Sequence, residues 1–82
     1  MKRVIKRAPT QFTLCLDNRG NEASLIVGKV YRQLPDARAE KDGLVRVVDE
    51  SGEDYLFGRA QFATVDFPQA VRRKLLALQR AG

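Results

Sequence analysis

The sequence predicts a mainly β fold, a small five-stranded barrel followed by a C-terminal α-helix. Three observations carry that expectation. Short runs of β-branched and aromatic residues alternate with turns containing glycine and aspartate. The run Leu44-Val45-Arg46-Val47-Val48 is joined to Tyr55-Leu56-Phe57 by Asp49-Glu50-Ser51-Gly52-Glu53-Asp54, which reads as a β-hairpin with Gly52 at a position of positive φ. Near the C-terminus, Phe67, Val71, Leu75 and Leu78 recur at helical spacing.

Residues 1–11 carry Lys2, Arg3, Lys6 and Arg7 and then Pro9, so they read as a basic, mobile tail that docks through Val4 and Ile5 at most. The barrel is expected over 12–67. Phe12-Thr13-Leu14-Cys15-Leu16 alternates as a strand, with Phe12, Leu14 and Leu16 on one apolar face. Asp17-Asn18-Arg19-Gly20-Asn21 breaks it and opens a polar loop over 17–28, with Leu25, Ile26 and Val27 tucked beneath. Residues 29–34 form the second strand, closed by Pro35. Asp36 caps a single helical turn that Gly43 ends. The hairpin over 44–57 follows, then a 3₁₀ turn at 58–61 and a last strand, Phe62-Ala63-Thr64-Val65.

The final helix spans 68–80. Asp66, Pro68 and Gln69 suit its start. Its apolar stripe is expected to cap the open end of the barrel. Arg73 and Arg80 point away from that stripe, Arg72 and Lys74 flank it, and Leu76 falls off it as a candidate partner or dimer contact. Strand, long loop, strand, helical turn, hairpin, 3₁₀ turn and strand form an SH3-like order. The segments between strands are too short for the helices of a doubly wound α/β fold.

Size and composition narrow the function. Eighty-two residues make one domain with a thin core, which disfavours a deep catalytic cavity. No apolar run approaches the roughly 18 residues that span a bilayer, and no apolar segment follows the basic start as a signal peptide requires. The expected location is cytoplasmic, with no membrane partner. The chain has no histidine and one cysteine, Cys15, read as a small structural thiol. No cysteine zinc site, intrachain disulfide, phosphate loop or dinucleotide fingerprint can be drawn, so no catalytic residue, metal or cofactor is expected. Asp49, Glu50, Glu53 and Asp54 are the one dense acid cluster, read as a solvated turn.

Charge is unevenly spread. The net charge is +5, yet all ten acids lie between residues 8 and 71, where only seven bases accompany them. Both ends are basic and acid-free, which fits self-attraction to an acidic body or an anionic partner.

Gly28-Lys29-Val30-Tyr31, Leu34-Pro35-Asp36, the run Gly43 to Phe57 and Phe62 together resemble a group of small, largely uncharacterised bacterial proteins with an SH3-like barrel. The resemblance covers roughly residues 12 to 71 and implies a fold without catalytic residues. A looser likeness is to eukaryotic peptide-binding SH3 domains, in which an aromatic after the 3₁₀ turn helps form a polyproline groove; Phe62 takes that place here. The chain has no tryptophan, on which that groove depends, so polyproline binding is not expected.

Two functional readings follow. The first is a non-enzymatic adaptor that binds a protein through the 17–28 loop with Tyr31, Tyr55 and Phe62. The second is a nucleic-acid-binding barrel whose Lys2, Arg3, Arg72, Arg73 and Arg80 contact phosphates. A homodimer through Leu76 or an open sheet edge is a further partner expectation.

Overall fold

The computed structural model describes residues 10–81, and the elements lie close to where the sequence places them. They run β1 (Gln11–Cys15), β2 (Val30–Leu34), α1 (Ala37–Lys41), β3 (Leu44–Val48), β4 (Asp54–Gly58), a 3₁₀ turn (Arg59–Gln61), β5 (Phe62–Val65) and α2 (Gln69–Ala81). Most of the expected basic tail lies outside the described residues; Gln11 already pairs with Gln33 in the sheet. Among the described residues no helix is long and apolar enough to cross a membrane.

Every strand pair is antiparallel, and the five strands lie in the order β4-β3-β2-β1-β5. The closed barrel expected from the sequence is not formed. β4 and β5 are the two edges, and no ladder joins them. The chain between them is a three-residue 3₁₀ turn, which swings β5 away from β4 and onto β1. Side chains fill the seam instead. The Phe57 and Phe62 rings lie 5.9 Å apart, inclined by 59°. The Gln61 amide accepts from Gly58 N at 3.3 Å and donates to the Asp17 carbonyl at 2.9 Å.

The register decides which face is the core. Thr13 opposes Tyr31, Gln33 opposes Val47, Val45 opposes Phe57 and Cys15 opposes Phe62, so these side chains share one face. Cys15, Leu25, Tyr31, Val45, Val47, Phe57 and Phe62 form the buried cluster there. β1 therefore turns Thr13 and Cys15 inward, not the alternate set expected to form its apolar face. Leu16 is 52% exposed as a result. Phe12 is nevertheless fully buried, because the outer face is covered where it stands. The Phe67 ring meets it edge-on at 5.8 Å, and the Arg72 guanidinium lies 5.5 Å from its centroid.

That contact also corrects the expected place of α2. Phe67 is drawn to Phe12 on the outer face, so the helix leaves from the side opposite the core and does not cap it. Val71 is 40% and Leu78 67% exposed. The helix root is held by Phe67 and by Arg72, which donates to the Thr10 carbonyl.

The hairpin and α1 follow local chemistry. Asp36 accepts from Ala39 N at 3.0 Å as an N-cap and from Arg46 Nε at 2.8 Å, while Arg46 also reaches Asp54 at 2.9 Å. In the hairpin, Asp49 is buried rather than solvated. Its Oδ1 accepts from Ser51 N at 2.8 Å and from Ser51 Oγ at 2.5 Å, which folds the turn over its own carboxylate. Gly52 sits at φ +87° with open space where a Cβ would go. Gly52→Val is expected to cost about 1 to 2 kcal/mol through backbone strain alone. Urea unfolding measures this, and an unchanged midpoint would refute the assignment.

Candidate functional site

The loop over residues 16–29 is the most elaborate segment between strands, and its own hydrogen bonds hold it. Gly28 N donates to the Cys15 carbonyl at 2.8 Å and Cys15 N to the Lys29 carbonyl at 2.9 Å, so the loop is pinched at its base. Leu16 N donates to the Gln61 carbonyl at 2.8 Å. Within the loop, Leu25 N donates to the Asn21 carbonyl at 3.0 Å and Asn18 Nδ2 to the Leu25 carbonyl at 2.9 Å. Leu25 is 1% exposed and plugs the core. Gly28, at φ +88°, lets the chain turn back into β2.

A second set of bonds ties this loop to the hairpin through Tyr31. The phenol oxygen accepts from Ile26 N at 2.8 Å and donates to Glu50 Oε2 at 2.5 Å. Lys29 Nζ reaches the same carboxylate oxygen at 2.6 Å, and Glu50 N donates to the Ser24 carbonyl at 3.0 Å. Lys29 and Tyr31 hold the Glu50 carboxyl below its ordinary range, so it stays an anion. Burial, and then the Glu50 hydrogen bond, push the Tyr31 phenol well above the usual tyrosine value. An ionised acid locked to a cation has no proton to give, and the arrangement acts as a structural clasp.

The outcome is a fixed display of aliphatic side chains. Leu25 goes inward, but Ile26 and Val27 do not tuck beneath the loop as expected; each is 53% exposed. Once Tyr31 takes the Ile26 amide and Leu25 takes the core, the next side chains have no buried place left. The base pinch pairs Cys15 with Gly28 and Lys29, the residues next along the chain from Leu16 and Val27. On the polar rim, Asp17 and Arg19 form a two-toothed ion pair that lowers the Asp17 carboxyl to about 2.

The residues expected to form a partner surface divide. Tyr31 and Phe62 are 4% and 9% exposed and belong to the core, not to an outer face. Tyr55 is 48% exposed and donates to Glu53 at 2.8 Å. It lines a shallow hollow of about 350 Å³ with Asn21, Ser24, Leu56 and Phe57. Of the expected anion contacts, Lys2 and Arg3 lie outside the described residues, as does the Arg80 side chain. Arg72 is half-buried against Phe12 and Thr10, and Arg73 is exposed on α2. Among the described residues, Arg72 packs on the sheet while Arg73 faces solvent.

Cys15 is buried and its thiol is pushed up by that burial, which suits a core residue and not a nucleophile. Among the described residues no group of three or more His, Cys, Asp or Glu is placed to hold a metal ion. A second hollow, of about 470 Å³, opens on the core face beside Phe62, between Gln11, Thr13, Gln33, Thr64 and Arg59. The Thr13 hydroxyl there is buried without a hydrogen-bond partner. No family model, curated protein or solved structure matches the chain.

Removing the phenol tests the clasp. Tyr31→Phe is expected to cost about 1 to 3 kcal/mol, because the Ile26 amide and Glu50 lose their shared partner. The pH response has a defined sign. Tyr31 titrates higher folded than unfolded, so its contribution is complete below the ordinary value of 10.0 and is lost as the pH rises toward the folded value. The Glu50 contribution is complete above its ordinary value of 4.5 and is lost as the pH falls through the lower folded value. Urea midpoints across pH should show wild type losing its advantage over Tyr31→Phe in alkali. A constant difference would show that the phenol is not clasped.

Proposed function

We propose that the chain is a non-enzymatic protein-interaction module on an SH3-like scaffold, working through its 17–28 loop. The order of strands, long loop, helical turn, hairpin and 3₁₀ turn supports the scaffold reading, together with the return of β5 to β1. The observation that carries the functional reading is the rigid display of Leu16, Ile26 and Val27, three aliphatic side chains more than half exposed on a hydrogen-bonded loop. Water gains when such a patch is covered, and the loop loses little freedom on binding because it is already ordered. The surrounding Asp17–Arg19 and Lys29–Glu50 pairs give it a charged rim. A patch of three side chains suits a small, transient contact with the apolar surface of another protein.

The nucleic-acid reading has less support. Arg72 is engaged by Phe12 and Thr10, which leaves Arg73 and Lys74 as the exposed described cations of α2. Phosphate contacts by these two described residues alone would give a salt slope of about −2.

The test compares wild type with Ile26→Asp/Val27→Asp in quantitative affinity capture from cells that make the protein. The double variant should lose the captured protein by tenfold or more while its melting temperature stays within a few degrees. Capture that ignores the loop, or oligonucleotide binding with a steep salt response, would overturn the proposal.

A further inference from the structure

We infer that the hollow beside Phe62 is a binding site for a free α-amino acid with a neutral polar side chain. The inference starts from polar groups that the fold buries and leaves without partners. Gln11 opposes Gln33 and Thr13 opposes Thr64, so four polar side chains meet on the core face of β2, β1 and β5. Thr13 and Gln33 are the buried pair, at 0% and 7% exposure. The Thr13 hydroxyl has no hydrogen-bond partner. Among the hydrogen bonds of the described residues, none is made by the Gln33 amide either. Buried hydroxyls and amides are almost always paired, so two that are not, lining one hollow, mark a place for a further partner.

The rim decides what kind of molecule fits. Glu40, from α1, and Arg59, from the 3₁₀ turn, border the same hollow. Their backbones are tied through Gly43, whose N donates to the Glu40 carbonyl at 3.1 Å and whose carbonyl accepts from Arg59 N at 3.0 Å. The two side chains nevertheless form no ion pair with each other or with any other described residue. Glu40 accepts only a long bond from Asp36 N, at 3.4 Å. A simple anion meets repulsion from Glu40, a simple cation meets it from Arg59, and a neutral sugar answers neither charge. An amino acid carries its ammonium and carboxylate on one carbon, which matches two opposite charges flanking one glycine. Its side chain then points to the floor. There the Gln33 amide and Thr13 hydroxyl bond a neutral polar group, whereas a charge would go unpaired. Val45 and Phe62 supply the apolar part of the wall. The volume, about 470 Å³, falls within the roughly 300 to 1,000 Å³ of small-molecule sites. Leu16, Ile26 and Val27 take no part, so this site is independent of the loop proposed above.

Heteronuclear NMR of the full chain, titrated with L-glutamine, L-asparagine and L-serine in turn, reads the binding. At least one of the three should move the amide signals of Thr13, Gln33 and Arg59 saturably and leave those of Ile26 and Val27 in place. The N-acetyl form of that amino acid, without its ammonium, and its amide, without its carboxylate, should each bind at least about tenfold more weakly. Glu40→Gln and Arg59→Gln should each weaken binding by about tenfold too, with an unchanged melting temperature, because both stand at the rim. Thr13→Val should bind more weakly yet melt no lower than wild type, since it removes an unpartnered hydroxyl and keeps the shape. A threonine with a structural role alone would not separate the two readouts in that way. No saturable shift with any of the three amino acids, blocked forms that bind as well as the free one, or variants that bind as tightly as wild type would overturn the inference.

Discussion

The hydroxyl of Tyr31 stands where three segments meet, and the arrangement of the molecule follows from satisfying it. β2 brings the ring into the core, where a phenol cannot remain without partners. The Ile26 amide and the Glu50 carboxylate supply them, one from the long loop and one from the hairpin. β2 and β3 pair directly only at Gln33–Val47 and Leu34–Arg46. Toward Lys29 and Val48 the clasp replaces the ladder, and together with the bond from Glu50 N to the Ser24 carbonyl it holds the loop to the hairpin. Lys29 then neutralises the carboxylate that the phenol requires, so Ile26, Lys29 and Tyr31 are joined to Glu50, some twenty residues on.

The open seam obeys the same logic. An unpaired edge leaves backbone groups in search of partners, and closure by hydrogen bonds is one remedy. Here the 3₁₀ turn rules it out, and aromatic packing with one glutamine amide takes its place. Gln61 reaches Gly58, Asp17 and Asn21, and so joins the end of β4 to the loop after β1. Phe57 and Phe62 meet across that gap. Beside Phe62, a hollow bordered by Gln11, Gln33, Thr64, Glu40 and Arg59 leaves part of the core face open.

Position on the sheet separates the two exposed apolar surfaces. The loop patch lies beside the clasp and is rigid because of it. The α2 stripe belongs to an element with one anchored end, so its stability depends on what it meets. Together they give a small chain with a thin core two outward-facing apolar features, one on a hydrogen-bonded loop and one on a helix held at its root.

The sequence by itself determined the number, order and approximate limits of the elements, because those depend on local chemistry. Gly52 and Gly43 adopt the positive φ their turns require, Asp36 caps α1, and the aliphatic and aromatic runs became strands. The face β1 turns inward, the open seam and the direction in which α2 leaves were decided only in three dimensions. β1 is central and partly covered on both sides, so its alternation carries no sign of which side is core. Phe12, Thr13 and Cys15 are all fully buried, and only pairing with Tyr31 and Phe62 tells them apart. The exposure of Ile26 and Val27 was hidden for a related reason. Three consecutive aliphatic residues look alike in a list of letters, and the one that enters the core is set by the hydrogen bond Tyr31 makes to the backbone beside it.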